Sequence, residues 1–328
     1  MQTPTQPPQD SASGLVVALM GPTASGKTRL AIEIARQLDG EIISVDSAQV
    51  YRGMDIGTAK PDSRERQGIP HHLIDLLDPL ETYSSGRFRR DALNRVDDIL
   101  ARGRLPILAG GTMLYFNALL KGLSSLPAAH PAIRQQIDAE ARIQGWPALH
   151  QQLAEVDPDA AARIHPNDPQ RIQRALEVYR ITGVPLTRLF EQDSGADALP
   201  FKTVRIVLAP LQRESLHQRI ETRLRNMMRD GLVDEVRALR QRGDLHADLP
   251  AIRAVGYRQV WEYLDGVIDE AGMLERAIIA TRQFAKRQMT WLRRETDASW
   301  LASDDPELTR AALDSIDRMR QSLAPFSR

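Results

Sequence analysis

Apolar residues gather in short runs along this chain, and helical spacing fills the intervals between them. Residues 15–20 are wholly apolar, and 29–36 follow with Leu30, Ala31, Ile34 and Ala35 at a period of three to four. A second run, 41–46, ends in the carboxylate of Asp46. A third covers 105–109 and a fourth 203–209, while 71–75 and 299–301 are short strand candidates. Between them, 88–101 carries Phe88, Ala92, Val96, Ile99 and Leu100 at helical spacing, and a helix starts again at Met113 and runs to 120. Strands alternating with helices predict a parallel sheet with helices on both faces.

That alternation stops between 126 and 200, where 132–144, 148–154, 157–164 and 169–182 all read as helices separated by Pro, Gly and Asn or Asp. After the fourth run come helices at 213–229, 232–241, 257–264 and 273–294. The expected organisation is a disordered leader over 1–13, an α/β core made of 14–125 and 201–328, and an all-helical insertion domain over 126–200. The leader is rich in Gln, Pro, Ser and Thr and lacks the apolar centre of a signal peptide.

Between the first run and its helix stand Gly21, Pro22, Thr23, Ala24, Ser25, Gly26, Lys27 and Thr28, which is G-x-x-x-x-G-K-[ST] in its required strand-to-helix setting. Backbone N–H groups of such a P-loop turn inward around an anion, and the helix adds the positive end of its dipole. Lys27 supplies a charge for the terminal phosphate, and the Thr28 hydroxyl is placed to hold a magnesium ion, Mg2+. The motif specifies phosphate without specifying a nucleotide. The fold class is therefore a P-loop NTPase-like α/β sheet with a helical insertion.

Open parallel sheets bind ligands beyond the carboxyl ends of their strands. Thr28, Asp46 and Thr112 all sit at such ends, so the fold brings them to one cleft. Asp46 there could hold Mg2+ through water, accept a proton from a nucleophile, or simply cap a turn. Gly110-Gly111-Thr112 is a second place where backbone can approach a substrate closely, unless it is only a tight turn. Arg219 and Arg223 lie one helical turn apart, where they either close over a diphosphate or pair with Glu214 and Glu221.

Composition narrows the chemistry further. The 328 residues include no cysteine, which excludes disulfides, thiolate zinc sites and a cysteine nucleophile. No apolar stretch is long enough for a membrane span, so no membrane partner is expected, and a cytoplasmic location is. Formal charge sums to zero, yet the basic residues are segregated. On the helix 273–294, Arg282, Lys286 and Arg293 share one face, with Ala277, Phe284 and Trp291 roughly opposite and set to pack on the sheet. Gln170, Arg171, Ile172, Gln173 and Arg174 form a second basic group, and Arg253, Gly256, Tyr257 and Arg258 a third. Arginines with amides and an aromatic suit phosphate contact and base stacking, although a basic stripe is also the common form of a solvated surface.

Taken together, seven ordered stretches resemble the tRNA dimethylallyltransferase family: GPTASGKT at 21–28, DSAQVYRGMDIGTAKP at 46–61, HHLIDLLDP at 71–79, GGTMLYF at 110–116, DPQRIQRALEVY at 168–179, IRAVGYRQ at 252–259 and ATRQFAKRQMTWLRR at 280–294. The resemblance implies transfer of a dimethylallyl group from dimethylallyl diphosphate to N6 of adenine 37 in tRNAs reading codons that begin with U. It implies a P-loop that cradles the diphosphate leaving group through Gly21, Thr23, Ala24, Ser25, Gly26, Lys27 and Thr28, with Mg2+ on Thr28. Asp46 would orient N6 and take its proton, Thr112 would lie close to the adenine or the bridging oxygen, and Lys27 would stabilise the leaving group. Contacts to the tRNA anticodon stem-loop would come from Asp46, Ser47, Ala48 and Gln49, from Gln170 to Arg174, from Arg253 to Arg258, and from Lys286 to Arg293 together with Arg282. The chain departs from the family pattern at His130, where an acidic residue is expected. A monomer is the expected state.

Two other classes share part of this pattern. A P-loop small-molecule kinase would use Lys27, Thr28 and Asp46 but leave the basic helix without a purpose. A nucleotide-switched RNA-binding protein would leave Asp46 and Gly110-Gly111-Thr112 unexplained.

Overall fold

The computed structural model describes residues 14–122, 126–192 and 199–323. The leader expected over 1–13 lies outside the described residues. Six parallel strands form one sheet: β1 (Gly14–Met20), β2 (Gly40–Val45), β3 (His71–His72), β4 (Leu105–Gly110), β5 (Phe201–Ala209) and β6 (Ser299–Ala302), in the order β3-β2-β4-β1-β5-β6. Val17 is level with Ile107 on one side and Val204 on the other, so β1 is central. Alternate residues of its buried run serve two faces. Val17 and Leu19 join Ile107, Ile206 and Leu208 in a core closed by α1 (Lys27–Leu38) and by Ala312 and Ile316 of a late helix. The other face carries Phe88, Ala92, Val96 and Ile99 of α2 (Ser85–Ala101), whose N-terminus is capped by Ser84. This is the two-faced parallel sheet that the alternating pattern predicts.

The chain divides into two compact units, one made of 1–119 and 199–328 and one of 120–198. Within the first, α3 (Met113–Leu120) leads away from β4. The second unit holds α4 (Pro131–Gln144), α5 (Trp146–Val156), α6 (Pro158–Arg163), α7 (Pro169–Thr182) and α8 (Leu186–Gln192). Ile137, Leu149, Leu153, Ile172 and Leu176 make its core. Glu177 is fully buried there, and it receives Arg134, Arg174 and the His130 backbone N–H at 2.8, 2.7 and 2.8 Å. Burial alone would raise this carboxyl, but those bonds outweigh it and hold it at about 2.

The first unit continues through β5 into α9 (Arg213–Arg229), α10 (Leu232–Gln241), α11 (Tyr257–Leu264), α12 (Glu270–Leu292) and α13 (Leu308–Leu323). Four details differ from the sequence expectation. The strand expected over 71–75 stops at His72, because Leu73 and Asp75 adopt left-handed backbone (φ 61 and 54°). α8 and α13 are additional helices. α12 starts earlier than expected, on an Asp269 cap, and ends at Leu292, which leaves Arg293 and Arg294 beyond its last turn. Finally, Trp291 is exposed, with Arg294 stacked over it at 5.5 Å, and Phe284 is only half-buried. Positions seven apart drift about 20° per heptad around a straight helix. The buried stripe follows Ala277, Ala285, Gln288 and Leu292 instead.

Candidate active site

β1 ends at Met20, and the chain turns through a loop in which Ala24 and Gly26 are both left-handed (φ 62 and 92°). That alternation makes a backbone concavity at the N-terminus of α1. Ser25 N–H closes the turn on Pro22 O, and Thr23 N–H donates to Gln288 Oε1 at 2.9 Å. These two N–H groups have partners within the protein. The Ser25 side chain is buried beneath the loop as well. The N–H groups of Ala24, Gly26, Lys27 and Thr28 keep no internal partner among the described residues. Gly26 suits the left-handed backbone at the mouth of the concavity.

Lys27 folds back over this loop, with Nζ donating to Pro22 O at 2.7 Å. Burial, then repulsion from Arg223, lowers its pKa to about 7, against a smaller opposing pull from Asp46. The guanidinium of Arg223 is lowered by burial too, with Asp46 and Glu65 as its compensating charges, and it has no ion pair or hydrogen bond among the described residues. Two cations thus face one chamber without enough anion to balance them.

Asp46 stands one residue past β2. Its Oδ1 accepts the N–H groups of Ala48 (2.8 Å) and Gln49 (3.3 Å), which leaves Oδ2 for the cleft. Ser47 N–H donates to Thr112 Oγ1 at 3.1 Å, and Thr112 N–H donates to Val45 O at 3.2 Å, so the ends of β2 and β4 are tied at the residues singled out from sequence. An added Cβ at Gly111 would lie 2.3 Å from Gln288 Nε2, so a larger residue there would displace the Gln288 amide. Gln49 spends its amide on Ser44 Oγ and on the carbonyls of Thr58 and Ala59.

Two connected spaces result. An inner chamber of about 100 Å³ is walled by Lys27, Thr28, Asp46, Gly110, Gly111 and Gln288. An adjoining cavity of about 320 Å³ shares Thr23, Asp46, Thr58, Arg223 and Phe284 with it, and adds Ser47, Ala48, Thr112, Ile220, Leu224, Met227, Val255, Arg253 and Arg287. Its far wall is apolar. Met227 and Arg223 separate this cavity from an open cleft of about 1060 Å³ that also reaches Thr28.

Other expected residues fall elsewhere. Arg219 is bonded to Ser303 Oγ (2.8 Å) and Asp304 (3.0 Å), not to Glu214 or Glu221, and it lines the open cleft together with Thr28 and Arg223. Arg282 pairs with Glu221 at 3.0 Å. Tyr257 is fully buried, its ring lies against Gly57, and its hydroxyl donates to Glu235. It therefore offers no stacking face, and Gly256 is buried beside it with its N–H on Gln259. Arg253, Lys286 and Arg293 are exposed, and Arg258 is exposed with Glu262 as its partner. On α7 in the second unit, Gln170 and Arg171 are exposed, whereas Ile172 is in that unit's core. Gln173 is bonded to Asp138 and Arg174 to Glu177 and Pro127 O.

Sequence reading passed over several groups. Glu235 accepts the N–H groups of Asp55, Ile56 and Gly57 and so shapes the loop after β2. Buried Lys60 ties Tyr51 O, Asp55 and Asp75. Gln288 and the apolar wall on α9 were likewise unmarked. Among the described residues there is no cluster of three His, Cys, Asp or Glu that could hold a metal, and no helix long and apolar enough to cross a membrane.

The model of the family described as IPP transferase matches residues 49–295. A curated protein of Methylococcus capsulatus named tRNA dimethylallyltransferase is 61% identical over 301 residues, 92% of this chain and 96% of its own. One of that name from Stenotrophomonas maltophilia is 59% identical over 304 residues, covering 91% and 95%. Among solved structures, the full-length tRNA isopentenylpyrophosphate transferase of Bacillus halodurans superposes with a TM-score of 0.69 at 38% identity, covering 95% of this chain and 97% of that one. A eukaryotic dimethylallyltransferase, described as acting on tRNA, gives 0.80 at 29% identity, covering 96% and 81%.

Proposed function

This chain belongs to the IPP transferase family, and we propose that it transfers a dimethylallyl group from dimethylallyl diphosphate to N6 of adenine 37 in tRNAs reading codons that begin with U. Membership sets aside the small-molecule kinase and the switched RNA-binding protein. The observation that carries the reading is the junction of the two spaces. A chamber with two under-compensated cations opens directly onto a cavity with an apolar wall, which suits a diphosphate joined to a short hydrocarbon.

In this reading the diphosphate lies in the backbone concavity, held by the N–H groups of Ala24, Gly26, Lys27 and Thr28 and by the charges of Lys27 and Arg223. The hydrocarbon lies against Ile220, Leu224, Met227 and Phe284, which exclude water from the allylic carbon as cation character develops there. The C1–O bond breaks and its electron pair leaves with diphosphate. The N6–C1 bond forms, and the N6 proton passes to the free Oδ2 of Asp46. Thr112, tied to the Ser47 N–H, fixes the approach of the adenine edge. The adenine reaches this point only after extrusion from the anticodon loop. Exposed Arg253, Arg258, Lys286 and Arg293, and Gln170 and Arg171 of the second unit, supply phosphate contacts.

The Thr28 hydroxyl is a hard oxygen donor at the chamber and would hold Mg2+ together with the diphosphate, leaving Asp46 Oδ2 for the proton. Bound there, the ion would neutralise charge on the leaving group. The reading is of a monomer that acts on tRNA in the cytoplasm.

The deciding experiment is incubation of the protein with labelled dimethylallyl diphosphate, Mg2+ and unfractionated tRNA, with a parallel reaction containing ATP. Label is expected in tRNA, at N6 of adenine. Consumption of ATP with no label in tRNA would overturn the reading.

A further inference from the structure

Gln288 lies within the stretch that the family resemblance gives to tRNA, yet its side chain is turned inward and only 5% exposed. Its two amide atoms are spent on two different loops. Oε1 accepts the Thr23 N–H at 2.9 Å, and Nε2 donates to Gly111 O at 2.8 Å. Thr23 belongs to the loop that would hold the leaving group. Gly111 precedes Thr112, whose hydroxyl holds the loop of Asp46 through Ser47.

We propose that Gln288 is a positioning residue that fixes the leaving-group loop against the turn that aligns the nucleophile. The inference rests on the reading of this cleft as the prenyl-transfer site. A carboxamide is what the place calls for, since it must accept on one side and donate on the other. A glutamate could accept from Thr23 but not donate to Gly111, and it would add a negative charge beside the diphosphate chamber. A lysine could donate but not accept. The turn is also fitted closely around the amide, since a Cβ on Gly111 would collide with Nε2. The spacing between the leaving-group loop and the turn before Thr112 is therefore held by one side chain whose amide is spent on backbone at both ends, and an error of an ångström in such a spacing is felt in rate.

Gln288→Met keeps length and removes both bonds. It is expected to lower kcat about 10–100-fold, with the Kd for tRNA and the KM for dimethylallyl diphosphate within about twofold, an ordinary mutational scatter. Gln288→Glu is expected to retain the fold and lose at least as much kcat. Gly111→Ala should reproduce the loss, and Gly111→Ala in a Gln288→Ala background should cost little more than Gln288→Ala alone, since the two act on one contact. Unchanged kcat in Gln288→Met and Gln288→Glu would overturn the proposal. A loss confined to tRNA affinity would do so too, marking Gln288 as an RNA contact. If Gln288→Met does not fold, the Gln288→Glu and Gly111→Ala results decide. Wild-type protein run beside them separates the two levels: no label in tRNA from wild type removes the site reading itself, whereas normal wild-type turnover with unimpaired variants removes only the role of Gln288.

Discussion

Lys27 donates its ammonium to the carbonyl of Pro22 at 2.7 Å, so the cation is folded onto its own loop and not extended into solvent. With its pKa near 7 from burial and from Arg223, it is largely neutral at pH 8 in the free protein. An anion restores the proton. Binding of a non-hydrolysable thio analogue of dimethylallyl diphosphate should therefore take up nearly one proton at pH 8, measured by calorimetry in buffers of different ionisation enthalpy. Affinity should fall about tenfold per pH unit from 7.5 to 9, since only the protonated free form is competent. Lys27→Met should bind more weakly and lose that slope.

Asp46→Asn preserves an oxygen for the N–H groups of Ala48 and Gln49 and removes the proton acceptor. The tRNA Kd should move by less than about threefold, as expected where the fold and phosphate contacts persist. Single-turnover transfer should drop by about 10²–10⁴. Quenched-flow incorporation of label measures it.

Tyr257 and Lys286 should separate cleanly. Tyr257→Phe removes a hydroxyl bonded to Glu235 and should cost about 1–2 kcal/mol in denaturant unfolding, with no change in the salt dependence of tRNA binding. Lys286→Ala should leave stability alone and reduce the salt slope of binding by about one. Filter binding between 50 and 200 mM salt, a range in which phosphate contacts dominate, reads both.

Met227 is nearly buried between the prenyl cavity and the open cleft. Met227→Ala should let the cavity run into the cleft and admit geranyl diphosphate. Preference for the five-carbon donor should fall at least about tenfold, the scale of hydrocarbon discrimination in an apolar pocket. Mass spectrometry of the digested tRNA distinguishes the two products.

The positions of the sheet and the anion loop were legible because apolar runs and the P-loop spacing are local patterns. β3 was read too long because left-handed backbone at Leu73 and Asp75 carries no glycine to announce it. Tyr257 between arginines looks like a stacking platform in sequence. Its buried hydroxyl is met by Glu235, which lies 22 positions away on another helix. Gln288 sits inside a basic segment, and its partners are 265 and 177 residues distant. No periodicity carries such pairings, nor the commitment of Arg219 to Asp304 across 85 residues. Burial of Ile172 was readable in principle from the spacing to Ala175 and Leu176, but the flanking arginines outweighed it.

Glu41 and Glu177 predict the acid limb. Burial would raise Glu41, but bonds from Arg102, His72 and Arg104 outweigh it and hold it at about 2, as Glu177 is held in the second unit. Folded values below the unfolded carboxylate give stability that is complete above about pH 4.5. It is lost as pH falls from there toward 2. Urea midpoints measured from pH 6 to pH 3 should decline, and in Glu41→Gln that decline should be shallower from a lower starting midpoint.

The strand that delivers the anion loop, β1, is made first and lies between β4 and β5, and Gly14 is level with Phe201. A ribosome must therefore translate through Ala209 before one flank of the oldest strand finds its neighbour. Until then an apolar edge with unpaired backbone groups is on offer to any other chain nearby. The helices α4 to α8 are made between β4 and β5, and the time their synthesis takes lengthens that exposure.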